Sequence, residues 1–143
     1  MTQGTSAFGT LLQIGDGGGP EVFTTVAEIV TITGPSLSLD MIEMTHHESP
    51  GSWEEFVGGI LRSGEVTFDL NYIPDDSTQD ASTGLIADLE AKTLRNFQMI
   101  FPNTAATQFD FSAFVTGFEP SAPFDDKLGA SVTLKISGQP TLA

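Results

Sequence analysis

The sequence predicts a mainly β protein, a β-sandwich or barrel with one flanking α-helix. Three observations lead there. Several segments alternate apolar and polar residues with a period of two. Glycine and proline clusters punctuate the chain between them. Only one stretch has the period of an amphipathic helix.

The clearest strand is EVTFDLNY, Glu65 to Tyr72. Val66, Phe68, Leu70 and Tyr72 fall on one face, and Glu65, Thr67, Asp69 and Asn71 on the other. Ala130 to Ile136 repeats the pattern, with Ser131, Thr133 and Lys135 outward. Phe97, Met99 and Phe101 alternate in RNFQMIF, and Phe109, Phe111, Ala113 and Val115 alternate in QFDFSAFV. There the phase slips, so that Phe114 and Phe118 compete for the inner face, and Gly117 sits where a bulge resets the register. Earlier strands are expected at Thr10 to Ile14, Val22 to Thr33 and Leu37 to Thr45. The helix is expected over about 81–93, capped by Asp80 or Ser82. Leu85, Ile86, Leu89 and Leu94 form its apolar stripe, with Asp88 and Glu90 in solvent.

The chain has 143 residues and reads as a single domain, 1–143. Hydrophobic residues make up 39%, which fits a folded protein with its own core. No apolar run approaches the ~20 residues of a membrane-spanning helix, and no membrane association is expected. The first ten residues, MTQGTSAFGT, show neither a basic nor an apolar stretch of a secretory signal. There is no cysteine, which excludes disulfides, thiolate catalysis and Cys-based zinc sites.

Nineteen acidic residues face five basic ones, for a net charge of −14. That balance argues against a surface that grips nucleic-acid phosphates or anionic lipid. It serves solubility, and it also repels phosphate.

No motif supports catalysis. There is no G-x-S-x-G elbow and no P-loop lysine after the glycines of DGGGP. His46, His47 and Glu48 invite a metal reading, but no further histidine completes a set. No cofactor and no metal is expected. The acid pairs Asp75/Asp76 and Asp125/Asp126 lie outside any EF-hand spacing. They leave one alternative open, a monomeric carbohydrate- or calcium-binding β-sandwich.

The segment MTHHESPGSWEEFVGG, Met44 to Gly59, holds both histidines and the only tryptophan. One helical turn would set Trp53 and Phe56 on the same face. The pair reads either as a small satellite core under a loop or as an aromatic anchor for a neighbouring subunit.

The chain resembles the major tail tube proteins of long-tailed, lambda-like bacteriophages. The matching features run in order along nearly the whole chain. LLQIGDGGGPEVFTTVAEIVTITGPSLS is similar to the family's opening hairpin and strand. IEMTHHESPGSWEEFVGGILRSGEVTFDLNY is similar to its long loop and the strand that follows. LIADL is similar to its helix, and FVTGFEPSAPFDDKLGASVTLKISGQPTL to its closing strands. The related inner-tube proteins of contractile tails and type VI secretion systems share this fold.

The resemblance implies a non-enzymatic virion protein, made in the host cytoplasm, whose hexameric rings stack into a hollow tube for DNA ejection. It implies partners in the tape measure, tail tip and terminator proteins, and viral DNA that passes without specific binding. The long loop, about 41–62, would then reach neighbouring subunits, with His46, His47, Trp53, Phe56 and the N-terminal Phe8 at the interface. Six copies at −14 each would carry −84 per ring. Salt screens such charge within about 8–10 Å, so repulsion of DNA needs acids at the lumen wall. Glu65, Asp69 and Asp110, on the polar phase of their strands, are the candidates.

Overall fold

The computed structural model describes residues 2–142. Its core is one antiparallel sheet whose principal path has the order β2-β1-β7-β8-β9-β6-β3. The strands are β1 (Leu11–Gly15), β2 (Phe23–Thr25), β3 (Ile29–Thr33), β4 (Ser38–Glu43), β5 (Phe56–Arg62), β6 (Glu65–Asn71), β7 (Leu94–Ile100), β8 (Gln108–Ser121), β9 (Gly129–Ile136) and β10 (Thr141–Leu142). β10 pairs with β8 beside the principal path. One helix, α1 (Leu85–Ala91), lies against β8.

The alternating segments become strands because one of their faces is buried. Val66, Phe68 and Leu70 of β6 and Ala130, Val132, Leu134 and Ile136 of β9 are all buried, and their neighbours in sequence face outward. Leu12 and Ile14 of β1 join the same cluster although β1 stands far from β6 in the sheet order. The sheet therefore curls over its own apolar face. Phe97 of β7 stacks on Phe111 of β8 with ring centroids 5.8 Å apart, and Leu85 of the helix is fully buried. The phase slip foreseen near Gly117 is a register shift between Val115 and Gly117, after which Phe118 packs against the core.

Several elements differ from the sequence reading. Residues 22–33 form two strands rather than one. Val26 is buried at the break, and Glu28 turns the chain with a positive φ of 49°. The helix is shorter than 81–93. Its N-cap is Gly84, and it ends at Lys92, whose backbone is left-handed. Asp80 caps the turn before it instead, accepting hydrogen bonds from the backbone N–H groups of Thr83 at 2.8 Å, Gly84 at 2.9 Å and Ser82 at 3.2 Å. Asp88 is buried, not solvated. It lies one turn beyond Leu85 and meets Arg95 of β7.

The segment expected as a long loop is largely a hairpin. β4 and β5 pair only with each other, as a separate two-stranded sheet. Two glycines set its root. A side chain at Gly34, whose φ is +112°, would stand 2.5 Å from the Glu65 carbonyl oxygen. One at Gly64, φ +73°, would overlap the Ser36 carbonyl. Only glycine lets the backbones cross this closely with positive φ.

Candidate assembly interface

The β4–β5 hairpin exposes apolar side chains on both of its faces. Leu39 stands opposite Leu61, Met41 opposite Gly58 and Glu43 opposite Phe56. Because directly paired residues share a face, Leu39, Met41, Phe56 and Leu61 lie on one side. Ile42 and Val57 form a pair on the other, beside the ion pair of Arg62 Nη2 with Asp40 Oδ2 at 2.8 Å. Leu61 is 79% exposed, and Ile60 65%. An isolated two-stranded ribbon is at best marginally stable in water. A ribbon with bare aliphatics on both faces is a surface built to be covered.

The tip of the hairpin is ordered by polar contacts. Ser49 Oγ donates to Glu55 Oε2 at 2.6 Å and accepts from the His46 N–H at 3.0 Å. His46 Nδ1 lies 3.5 Å from the same Glu55 oxygen. Thr45 Oγ1 accepts from the Glu55 N–H at 2.9 Å. His46 thus serves a local turn and faces Glu55 rather than Glu48. Among the described residues no three His, Asp or Glu side chains gather as a metal cage. Serine and glutamate both meet the same imidazole nitrogen, so no relay from a serine through the ring to a carboxylate is formed.

Trp53 and Phe56 do not share a helical face. The short helical turn spans Pro50–Ser52, Trp53 follows it in an extended conformation, and Phe56 begins β5. Gly51 and Ser52 have left-handed backbones, with φ of 63° and 62°, and this ends the turn before it can reach Trp53. The Trp53 side chain, 76% exposed, is therefore no satellite core. The structure brings His46, His47, Trp53 and Phe56 together on one hairpin. Phe8 stands apart from them, 93% exposed, beside a cleft of about 930 Å³ shared with Ile32, Phe101 and Pro102. The exposed aliphatics Leu37, Leu39, Met41, Ile60 and Leu61 carry no signal of their exposure in the sequence pattern.

The outward face of the main sheet holds the three acids read as lumen candidates. Asp69 stands between Thr31 and Ser131, and Asp110 between Gln98 and Thr141. Asp110 also accepts from Gln108 Nε2 at 2.9 Å. Glu65 pairs in register with Lys135, the one basic residue on that face among the described residues. Around them the face is chiefly Ser, Thr, Asn and Gln. Such a surface offers phosphate few cationic partners.

The chain has several free backbone edges. β2 and β3 end the principal path of the main sheet, and both hairpin strands have an unpaired side. Such edges pair readily with another chain. The acid pairs read as a calcium alternative are otherwise engaged or scattered. Asp76 accepts from the Thr78 N–H at 2.8 Å, and Asp126 from the Lys127 N–H at 2.7 Å.

Comparison with known proteins agrees with this architecture. A family model described as lambda phage tail tube protein, TTP, matches residues 13–143. A chain in the virion of a native gene transfer agent particle superposes with a TM-score of 0.76 at 14% identity, covering 98% of this chain and 99% of that one. A chain in the tail of an empty gene transfer agent particle, of C6 symmetry, gives 0.76 at 17% identity with the same coverage. A chain of the sheath-tube complex of an extracellular contractile injection system gives 0.70 at 15% identity, covering 100% and 93%. Among curated proteins no match is found.

Proposed function

The chain belongs to the lambda phage tail tube protein family, and from that premise we propose that it closes into hexameric rings that stack into the tube of a virion tail. The observation that supports this reading most is the β4–β5 hairpin, whose two apolar faces have no cover among the described residues. A ring of head-to-tail contacts covers it. One subunit's hairpin lies on the next, the contact closes by rotation, and stacking continues along the axis. Trp53, Phe56, His46 and His47 at the hairpin and Phe8 at the N-terminus are the proposed interface residues.

In the gene transfer agent neighbour the tail has C6 symmetry, which supports rings of six here. The outward sheet face with Glu65, Asp69 and Asp110 is the proposed lumen wall. Its acids and neutral polar groups let DNA slide without adhering. The reading has no catalytic step. It gives the protein a place in the tail, synthesis in the host cytoplasm, and tape measure, tip and terminator proteins as partners.

Negative-stain electron microscopy of the purified protein, with its light-scattering mass across concentration and salt, tests this. Rings or hollow tubes with a sixfold mass are expected, favoured by salt because each subunit carries −14. A strict monomer at every concentration and salt overturns it.

A further inference from the structure

Two features stand at opposite ends of the β8–β9 ribbon, a turn tip clear of the hairpin and a cleft that the root of the hairpin helps to line. At one end, in the turn between Ser121 and Gly129, Phe124 is completely exposed, at 101% of its reference area. Asp125, Asp126 and Lys127 follow it, so the tip keeps a net charge of −1. A bare phenyl ring at a turn tip adds nothing to the core and costs solubility, and its plain use is to enter another surface.

At the other end, where β9 finishes and β6 begins, lies a cleft of about 530 Å³. Leu37, Leu61, Ile136 and Pro140 supply its apolar lining, and Arg62 and Lys135 its charge. These are two of only five basic residues in the chain. Arg62 is held by Asp40. Lys135 makes no ion pair among the described residues, although Glu65 stands opposite it. Ser63 Oγ donates to the Gly138 carbonyl and ties the two walls together. The seven steps of β9 from Gly129 to Ile136 separate tip and cleft by about 23 Å, so no copy can fill its own cleft.

We propose that Phe124 of one copy seats in this cleft of the next copy along the tube, with Asp125 and Asp126 facing Lys135 and Arg62. The inference rests on the reading of the chain as a tube subunit and names its axial contact. Knob and socket lie at opposite ends of one rigid ribbon, so each added copy presents a fresh knob. That is a heterologous contact that does not close, as a stack requires. The N-terminal cleft near Phe101 is also apolar, but no basic residue lines it among the described residues, and the acids beside Phe124 favour the cleft that holds Lys135, a cation without an ion pair among those residues.

The absence of cysteine makes the contact directly readable. Phe124→Cys and Leu61→Cys are made separately, mixed and oxidised, and each pure variant is oxidised alongside. A disulfide dimer that needs both variants is expected, and assembly conditions should enrich it. Phe124→Ala, whose melting temperature should match wild type, should leave rings but raise the concentration needed for tubes about tenfold or more. Asp125→Lys with Asp126→Lys should weaken stacking, and Lys135→Glu in the same chain should restore part of it. Wild-type tubes with Phe124→Ala tubes at the same concentration overturn the inference and leave the tube reading standing. A cross-link of Phe124→Cys to Thr31→Cys, in place of Leu61→Cys, overturns it too. Absence of rings and tubes from wild type under all conditions removes the tube reading, and this contact with it.

Discussion

Arg95 Nη2 lies 3.0 Å from Asp88 Oδ1 and ties the only helix among the described residues to β7. The same guanidinium donates through Nη1 to the Gly15 carbonyl at 2.8 Å, so three elements meet at one side chain. Asp88 is buried, and its second oxygen has no hydrogen-bond partner. Burial raises its carboxyl above the ordinary 3.8, against the pull of Arg95. Removing Arg95 strands a buried acid. Arg95→Met should cost about 3 kcal/mol, the low end for breaking a buried pair, and adding Asp88→Leu should recover most of it. Urea denaturation of the two variants measures this. Equal losses from both would show that the helix is not held by this pair.

Gln79 is fully buried and joins three segments. Its Nε2 donates to the Ala27 carbonyl at 2.8 Å and the Asn71 carbonyl at 3.3 Å, and its Oε1 accepts from the Ile73 N–H at 2.8 Å. Gln79→Ala leaves these backbone groups unpaired. A loss of about 2–4 kcal/mol is expected, from the cost of buried unsatisfied groups. A loss below about 1 kcal/mol would mean that water or a backbone shift replaces the side chain.

The Thr83 N–H above all, with those of Gly84 and Ser82, holds the Asp80 carboxyl below its usual 3.8. A carboxyl lowered in the folded state adds stability above its unfolded value, and that stability is lost as pH falls through the folded value. Asp80→Asn should therefore melt below wild type at about pH 6, and the two melting curves should converge at pH values below 3.8. Asp88, shifted upward, acts in the opposite sense and loses its contribution as pH rises from 3.8. A constant gap between wild type and Asp80→Asn at all pH values would rule out the ionised carboxylate as the cause.

Trp53→Ala and Met41→Asp change side chains that the monomer leaves largely in solvent. Each should move monomer stability by no more than about 0.5 kcal/mol while abolishing rings in the microscope. A variant that melts normally and still assembles would remove its residue from the interface.

Glu65→Gln with Asp69→Asn tests the lumen wall. Tubes should form normally, and DNA delivery by particles built from them should change. Failure of assembly with normal delivery from residual particles would place these acids at a subunit contact. Asp69 is the more telling of the two, because Lys135 stands opposite Glu65.

What could be read in the sequence follows from which faces are buried. EVTFDLNY and the Ala130 to Ile136 segment show their strands because one side of each enters the core. The FVGGILR of β5 was not legible as a strand. Both faces of the hairpin are exposed, so no inside and outside alternate, and Gly58 and Gly59 blur the pattern further. The choice between satellite core and aromatic anchor at Trp53 stays open in the sequence, because spacing alone does not reveal the left-handed Gly51 and Ser52 that stop the helical turn. The helical pattern puts Asp88 in solvent because its partner, Arg95, lies seven residues away across a turn. Gln79 was silent because its three backbone partners are brought to it only by the fold. The complete exposure of Phe124 has no signal in the sequence, because only the fold shows that its turn packs on nothing.

The close backbone crossing at Gly34 and Gly64 has a mechanical consequence. A projecting arm on a slack root would act as a spring, and a ring of such subunits would give way at every joint. Here the root is pinned backbone to backbone, so the arm transmits torque to the sheet of its own subunit. In a ring closed by such arms, a push on one subunit would reach the next without being absorbed at the joint, where two glycines let the chain pass over itself.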